Sequence, residues 1–370
     1  MTKTKTTILL ILATIIHLRA QGQQDSVDVN SQRDPLYIGV KYQYGDILAH
    51  SGDIESISGT NPWGLTFEVS QLKTKDKSWR NCNCYSKVGL SFSYTNFANP
   101  DVLGNAYSMV FFLEPLITYR RNFHVSFRAG MGISYMDNIY DEIENPTNLF
   151  YSTSFSFPLL VNLALNYKIA PEWNANLSVF YNHISNGGMR QPNKGINYPT
   201  IALGLDYILF PKSLPVRKRV KSASGYPWQR YLGIFATTRS VSDSTNENDN
   251  RKLTIGLNGG VTKRLGKIYG FNLGFEASYD GSNREKRKVG NEDYSTYIFS
   301  LMAGNNLHFG RYRFSQQFGV YLGSPDPNDR WLFQRYALDY QLTDLLKVGI
   351  SLKAHGHVAQ NIDVRMGIVF

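Results

Sequence analysis

The sequence predicts an all-β protein, an antiparallel transmembrane β-barrel built as two tandem eight-stranded barrels, with one sixteen-stranded barrel as the alternative. Three observations predict it. The chain is 42% hydrophobic and carries 24 Tyr and 21 Phe, yet past its N-terminus no segment reaches the roughly 18 apolar residues of a spanning helix. Apolar and polar residues alternate along many segments of about 9–11 residues, the length of a transmembrane strand. The connections between those segments alternate long and short, as outer loops and periplasmic turns do.

The N-terminus reads as an export signal. Lys3 and Lys5 precede an apolar run from Thr7 to Ile16, and Leu18-Arg19-Ala20 offers a small residue for cleavage. Residues 1–20 are therefore expected to be a signal peptide and residues 21–34 a polar leader.

The strands follow in order. Leu36, Ile38, Val40, Tyr42 and Tyr44 share one face of the first, opposite Gly39, Lys41, Gln43 and Gly45. The second sets Trp63, Leu65, Phe67 and Val69 against Gly64, Thr66, Glu68 and Ser70, and the third sets Val88, Leu90, Phe92 and Tyr94 against Gly89, Ser91, Ser93 and Thr95. The fourth runs from about Ser108 to Tyr119 and reaches the fifth through a tight turn, Arg120-Arg121-Asn122. On the fifth, Phe123, Val125 and Phe127 oppose His124, Ser126 and Arg128. Phe155, Phe157 and Leu159 begin the apolar face of the sixth; Trp173, Leu177, Val179 and Tyr181 form that of the seventh; Ile201, Leu203 and Leu205 form that of the eighth. Lys73 to Cys84 is the one long connection where a short turn is expected.

A soluble sandwich would show the same alternation. The polar faces favour the membrane, because small residues with a few charges of both signs (Lys41, Glu68, Glu114, Arg128) suit the filled interior of a small barrel. A basic, proline-bearing linker, residues 211–229, follows the first barrel at residues 35–210. Alternation then resumes for eight more strands in residues 230–370, with a loop expected at 356–361, and ends on Ile368-Val369-Phe370. A terminal aromatic resembles the signal that such barrels present to the barrel-assembly machinery. Ala164-Leu165-Asn166-Tyr167 and Ala337-Leu338-Asp339-Tyr340 suggest that the halves are repeats.

Cys82 and Cys84 are too few for a disulfide framework, and free thiols or a local bridge are both open. No residue set points to a metal or a cofactor. The net charge of +10 suits phosphorylated lipid better than nucleic acid, an improbable partner for an exported chain.

The chemistry gathers at the end of the seventh strand. Parity puts His183 and Ser185 on the apolar, lipid-facing side, and Asn197 on the same side of the next strand. Residues two apart on a strand lie about 6–7 Å apart, and neighbouring strands are about 4.8 Å apart, so the trio can meet. Polar groups facing lipid cost free energy unless paired or near headgroups. One reading is nucleophilic catalysis, with Ser185 attacking an ester carbonyl, His183 taking its proton and Asn197 orienting the imidazole. The backbone N–H groups of Asn186, Gly187 and Gly188, or the Asn186 amide, would then meet the oxyanion. Arg190 and Lys194, in the same loop, would attract substrate phosphate. The plainer reading is a set of polar residues at the water interface. In the second half the repeat offset puts Gly356 and Val358 where His183 and Ser185 stand, so that half reads as non-catalytic.

His183-Ile184-Ser185-Asn186-Gly187-Gly188 followed by Asn193-Lys194-Gly195-Ile196-Asn197 resembles the signature of the lipid A 3-O-deacylase (PagL), or acyloxyacyl hydrolase-like, family. The resemblance implies an eight-stranded outer-membrane barrel over Leu36 to Phe210. It also implies a serine esterase site that removes the ester-linked chain at position 3 of lipid A, with lipopolysaccharide and outer-membrane lipids as partners in a Gram-negative bacterium. The family's His and Ser fall on His183 and Ser185; its acid, a Glu, falls on Asn197. A phospholipase, or a non-catalytic barrel serving as porin, adhesin or scaffold, is the alternative.

Overall fold

The computed structural model describes residues 33–119, 122–219, 225–241, 250–288, 294–323, 331–356 and 358–370. The expected signal peptide, most of the polar leader, the turn residues Arg120 and Arg121, linker residues 220–224 and His357 lie outside them.

Among the described residues, alternation along the chain becomes sixteen antiparallel strands in two closed barrels. The first comprises β1 (Leu36–Gly45), β2 (Trp63–Lys73), β3 (Ser86–Asn96), β4 (Asn105–Tyr119), β5 (Phe123–Met136), β6 (Phe155–Ala170), β7 (Trp173–Ser185) and β8 (Ile196–Leu209). β1 closes it by pairing with β8, from Leu36 opposite Leu209 to Gly45 opposite Thr200. The second comprises β9 (Trp228–Ser240), β10 (Arg251–Arg264), β11 (Tyr269–Asp280), β12 (Tyr297–Phe309), β13 (Tyr312–Tyr321), β14 (Leu332–Gln341), β15 (Leu346–His355) and β16 (Val358–Val369), closed by β16 on β9. Closure removes the edge strands that an open sheet would leave unpaired.

Each strand sends its apolar face outward. Val179, Ile201 and Leu203 are 57%, 60% and 65% exposed, and a belt of such residues is tolerable only against lipid. Aromatic rings mark the two ends of that belt. At the outer end Trp63, Tyr94, Tyr107, Tyr135 and Phe155 follow one another round the rim with ring centroids 5.7, 5.4, 6.4 and 5.6 Å apart. At the inner end Trp173 and Tyr207 meet at 5.0 Å.

The lumens are filled. In the first barrel Arg128 bridges Glu68 and Glu114, while Lys41 pairs with Glu68 and Lys87 lies 3.7 Å from Glu114. In the second, Arg335 bridges Glu276 and Asp363. Buried charges arranged as mutual partners suit a packed interior rather than an open channel.

Long and short connections divide between the two ends. Outer loops of the first barrel fold inward over its mouth, where Ile54, Phe97, Leu103, Phe150, Tyr151, Ile184 and Ile196 form a buried cluster. The exceptional connection after β2 holds a short helix, α1 (Asp76–Cys82), closed by a Cys82–Cys84 disulfide. The linker tucks beneath it: Tyr85 Oη donates to Pro215 O (2.6 Å), and Arg217 donates to Asp76 and to Thr74 O. The loop expected at 356–361 is shorter, because β16 begins at Val358, paired with His355. A bulge between Lys353 and Ala354 re-phases the strand there, which parity alone does not register. A second helix, α2 (Gly281–Lys288), follows β11.

Candidate active site

β7 and β8 pair with Ile184 opposite Ile196 and His183 directly opposite Asn197. That register turns the outward parity of the two strands into contact. His183 Nδ1 lies 2.7 Å from Asn197 Oδ1, and His183 Nε2 lies 3.0 Å from Ser185 Oγ. A serine hydroxyl, an imidazole and an orienting amide thus stand in series, the arrangement that activates a nucleophile.

Parity reads this side as open to lipid, whereas Ser185 is only 7% exposed. The cause is the loop between β7 and β8, which folds back over the strand ends. Gly195 has φ +70° and lies so close that a Cβ there would be 2.7 Å from His183 Cε1 and 3.1 Å from Ser185 Cβ. The loop before β6 fixes the fold-back: Lys194 N and Gly195 N donate to Leu149 O and Phe150 O at 3.0 and 2.8 Å. Alternation reports where a side chain points, not what a loop lays over it.

The expected oxyanion donors are partly spent. Asn186 N donates to Asn193 Oδ1 (3.0 Å), and Gly188 N donates to Asn186 Oδ1 (3.0 Å). The Asn186 amide itself donates to Arg190 O at 2.7 Å and to Ser152 Oγ at 3.3 Å. Fully buried, Asn186 braces the loop. Of the three backbone groups only the Gly187 N–H has no partner among the described residues. The expected phosphate-attracting pair is also unequal, since Lys194 Nζ is 3.0 Å from Asp53 Oδ2.

The sequence reading missed His50. Its Nδ1 lies 3.1 Å from Asn197 Nδ2 and its Nε2 lies 2.9 Å from Lys194 O. The segment after β1 runs on beside β8, with Leu48 N donating to Asn197 O at 2.8 Å, and so delivers His50 to the site. Barrel closure was the available signal, because pairing the first strand with the eighth brings the loop after Gly45 alongside Asn197.

The second barrel touches the same loop. Arg251, held on Thr238 O at 2.6 Å, donates to Met189 O. A Cβ on Gly187 would meet the side chain of Ile362, and one on Gly188 would lie 2.6 Å from Gln360 O.

Comparison with known proteins finds one family match within each barrel. Residues 65–206 match the lipid A 3-O-deacylase (PagL) family, and residues 228–370 match the C-terminal domain family of acyloxyacyl hydrolase. Among solved structures, the outer membrane enzyme PagL is 15% identical with a TM-score of 0.34, covering 45% of this chain and 97% of its own. Neisserial surface protein A is 9% identical with a TM-score of 0.32, covering 46% of this chain and 96% of its own. A porin of Rh. blastica is 12% identical with a TM-score of 0.21, covering 90% of this chain and 99% of its own. No curated protein matches the chain.

Proposed function

We propose, from the match of residues 65–206 to the lipid A 3-O-deacylase (PagL) family and of residues 228–370 to the C-terminal domain family of acyloxyacyl hydrolase, that the chain is an outer-membrane serine esterase removing the 3-O acyl chain of lipid A. The observation that carries the reading is the 3.0 Å contact between His183 Nε2 and Ser185 Oγ, with the other ring nitrogen on Asn197 at 2.7 Å.

The steps follow from those positions. Ser185 Oγ bonds to the acyl carbonyl carbon while its proton passes to His183 Nε2. The carbonyl oxygen becomes an oxyanion, for which the Gly187 N–H, without a partner among the described residues, is the candidate backbone donor once the Asn186 N–H is taken by Asn193. The bond to the sugar oxygen then breaks, and His183 returns the proton to that oxygen. Water attacks the acyl-enzyme with His183 again as base, releasing the fatty acid and restoring Ser185. Asn197 orients the imidazole, though it stabilises the imidazolium less than a carboxylate would.

The filled lumens favour this reading over a porin. Mass spectrometry of lipid A from cells with and without the protein tests it. The expected result is loss of one ester-linked acyl chain, abolished by Ser185→Ala and by His183→Ala in barrels that remain folded and heat-modifiable. Release of fatty acid from phospholipid but not from lipid A would make it a phospholipase. Full activity in both variants would remove the assigned site.

A further inference from the structure

We propose that His50 is a positioning residue of this site, holding Asn197 in the one amide orientation that leaves His183 a base; the inference rests on the esterase reading above. The argument is one of donors and acceptors, and it starts at a backbone carbonyl. Lys194 O has no proton to give, so His50 Nε2, 2.9 Å away, donates to it. A neutral imidazole protonated on Nε2 carries its lone pair on Nδ1. That lone pair faces Asn197 Nδ2 at 3.1 Å, and the amide donates to it. The opposite end of the amide, Oδ1, is then the atom 2.7 Å from His183 Nδ1. An acceptor there keeps the His183 proton on Nδ1. Nε2 is left bare, 3.0 Å from Ser185 Oγ, ready to take its proton.

Reversing the amide inverts every link. Nδ2 would face His183 Nδ1, the ring would have to accept there, and its proton would sit on Nε2, where it blocks the base. A glutamate needs no such guard, because both its oxygens accept. An asparagine has one end of each kind, so a third group must choose between them. His50 is that group, and its own orientation is set by the Lys194 carbonyl. Two contacts fix the frame in which this happens: Leu48 N on Asn197 O at 2.8 Å, and Asp53 on Lys194 at 3.0 Å.

The test uses the full chain in detergent micelles, with lipid A as substrate. His50→Ala is expected to lower kcat about fivefold, equivalent to ~1 kcal/mol, while leaving KM unchanged. His50→Gln, whose amide oxygen can accept from Asn197 Nδ2, recovers most of that loss. In an Asn197→Glu background His50→Ala costs little, since a carboxylate has no wrong orientation. Nitrogen NMR of the histidine rings reads the same device without turnover: the His183 proton sits on Nδ1 in the wild type and moves towards Nε2 in His50→Ala. An unchanged His183 tautomer, or an equal cost of His50→Ala in both backgrounds, overturns the proposal. Ser185→Ala separates it from the reading beneath. If Ser185→Ala is active, the esterase site falls and the His50 role with it. If Ser185→Ala is dead and His50→Ala is fully active, only the role of His50 falls.

Discussion

Gly195 lies against the His183 ring so closely that a single added methyl group would sit 2.7 Å from Cε1. The contact joins the loop's left-handed backbone to the position of the proposed base, His183. Gly195→Ala therefore carries two penalties. At φ +70° an L-residue costs about 1–2 kcal/mol, and the methyl displaces either the ring or the loop. We expect a barrel that still folds and is heat-modifiable, with kcat reduced roughly tenfold or more. Wild-type kcat in Gly195→Ala would show that the loop yields without moving His183.

The two loop cations should behave differently. Lys194 already has Asp53 at 3.0 Å, so its charge is partly offset. Arg190→Gln is expected to raise KM more than Lys194→Gln, and both effects should shrink as salt is added, because the Debye length is about 8 Å at physiological ionic strength. KM changes that are the same at low and high salt would rule out an electrostatic role in substrate capture.

Inside the first barrel Arg128 donates to Glu68 Oε2 at 2.7 Å through Nη1 and to Glu114 Oε2 at 2.7 Å through Nε. Arg128→Met fills similar space but takes the guanidinium from two buried carboxylates, leaving Glu68 with Lys41 and Glu114 with Lys87 and Ser126. The expected cost is about 3–5 kcal/mol, read as a lower urea midpoint in detergent. An unchanged midpoint would mean that water or a lysine shift re-satisfies both carboxylates.

Closure of β1 on β8 makes the first barrel complete without the second. A fragment of residues 21–210 should fold and migrate as a heat-modifiable species. It loses the contacts of Arg251 with Met189 O and of Ile362 with Gly187, so the loop bearing the Gly187 N–H is less restrained. Its activity should fall several-fold, and Arg251→Ala in the full chain should reproduce part of that deficit. A fragment that never folds would show that the barrels depend on one another.

Much of this protein is determined by the sequence alone, because a strand exposes its chemistry with a period of two. Leu36 to Tyr44, Trp173 to Tyr181 and Ile201 to Leu209 announce their outward faces without reference to any neighbour, and Glu68, Glu114 and Arg128 announce theirs as interior. The same parity puts His183, Ser185 and Asn197 on one side of two adjacent strands. Register is already a shared property: His183 opposite Asn197 follows only if the turn between them has the right length. What parity cannot contain is coverage and closure. Burial of Ser185 depends on Gly195 and the loop at Phe150 folding across it; the partners of Asn186 and Gly188 come from side chains in the same loop. His50 reaches Asn197 from 147 residues away in the chain, because a closed sheet makes its first and last strands neighbours. Alternation is written residue by residue, whereas a contact across a closed barrel exists only once every intervening strand has paired.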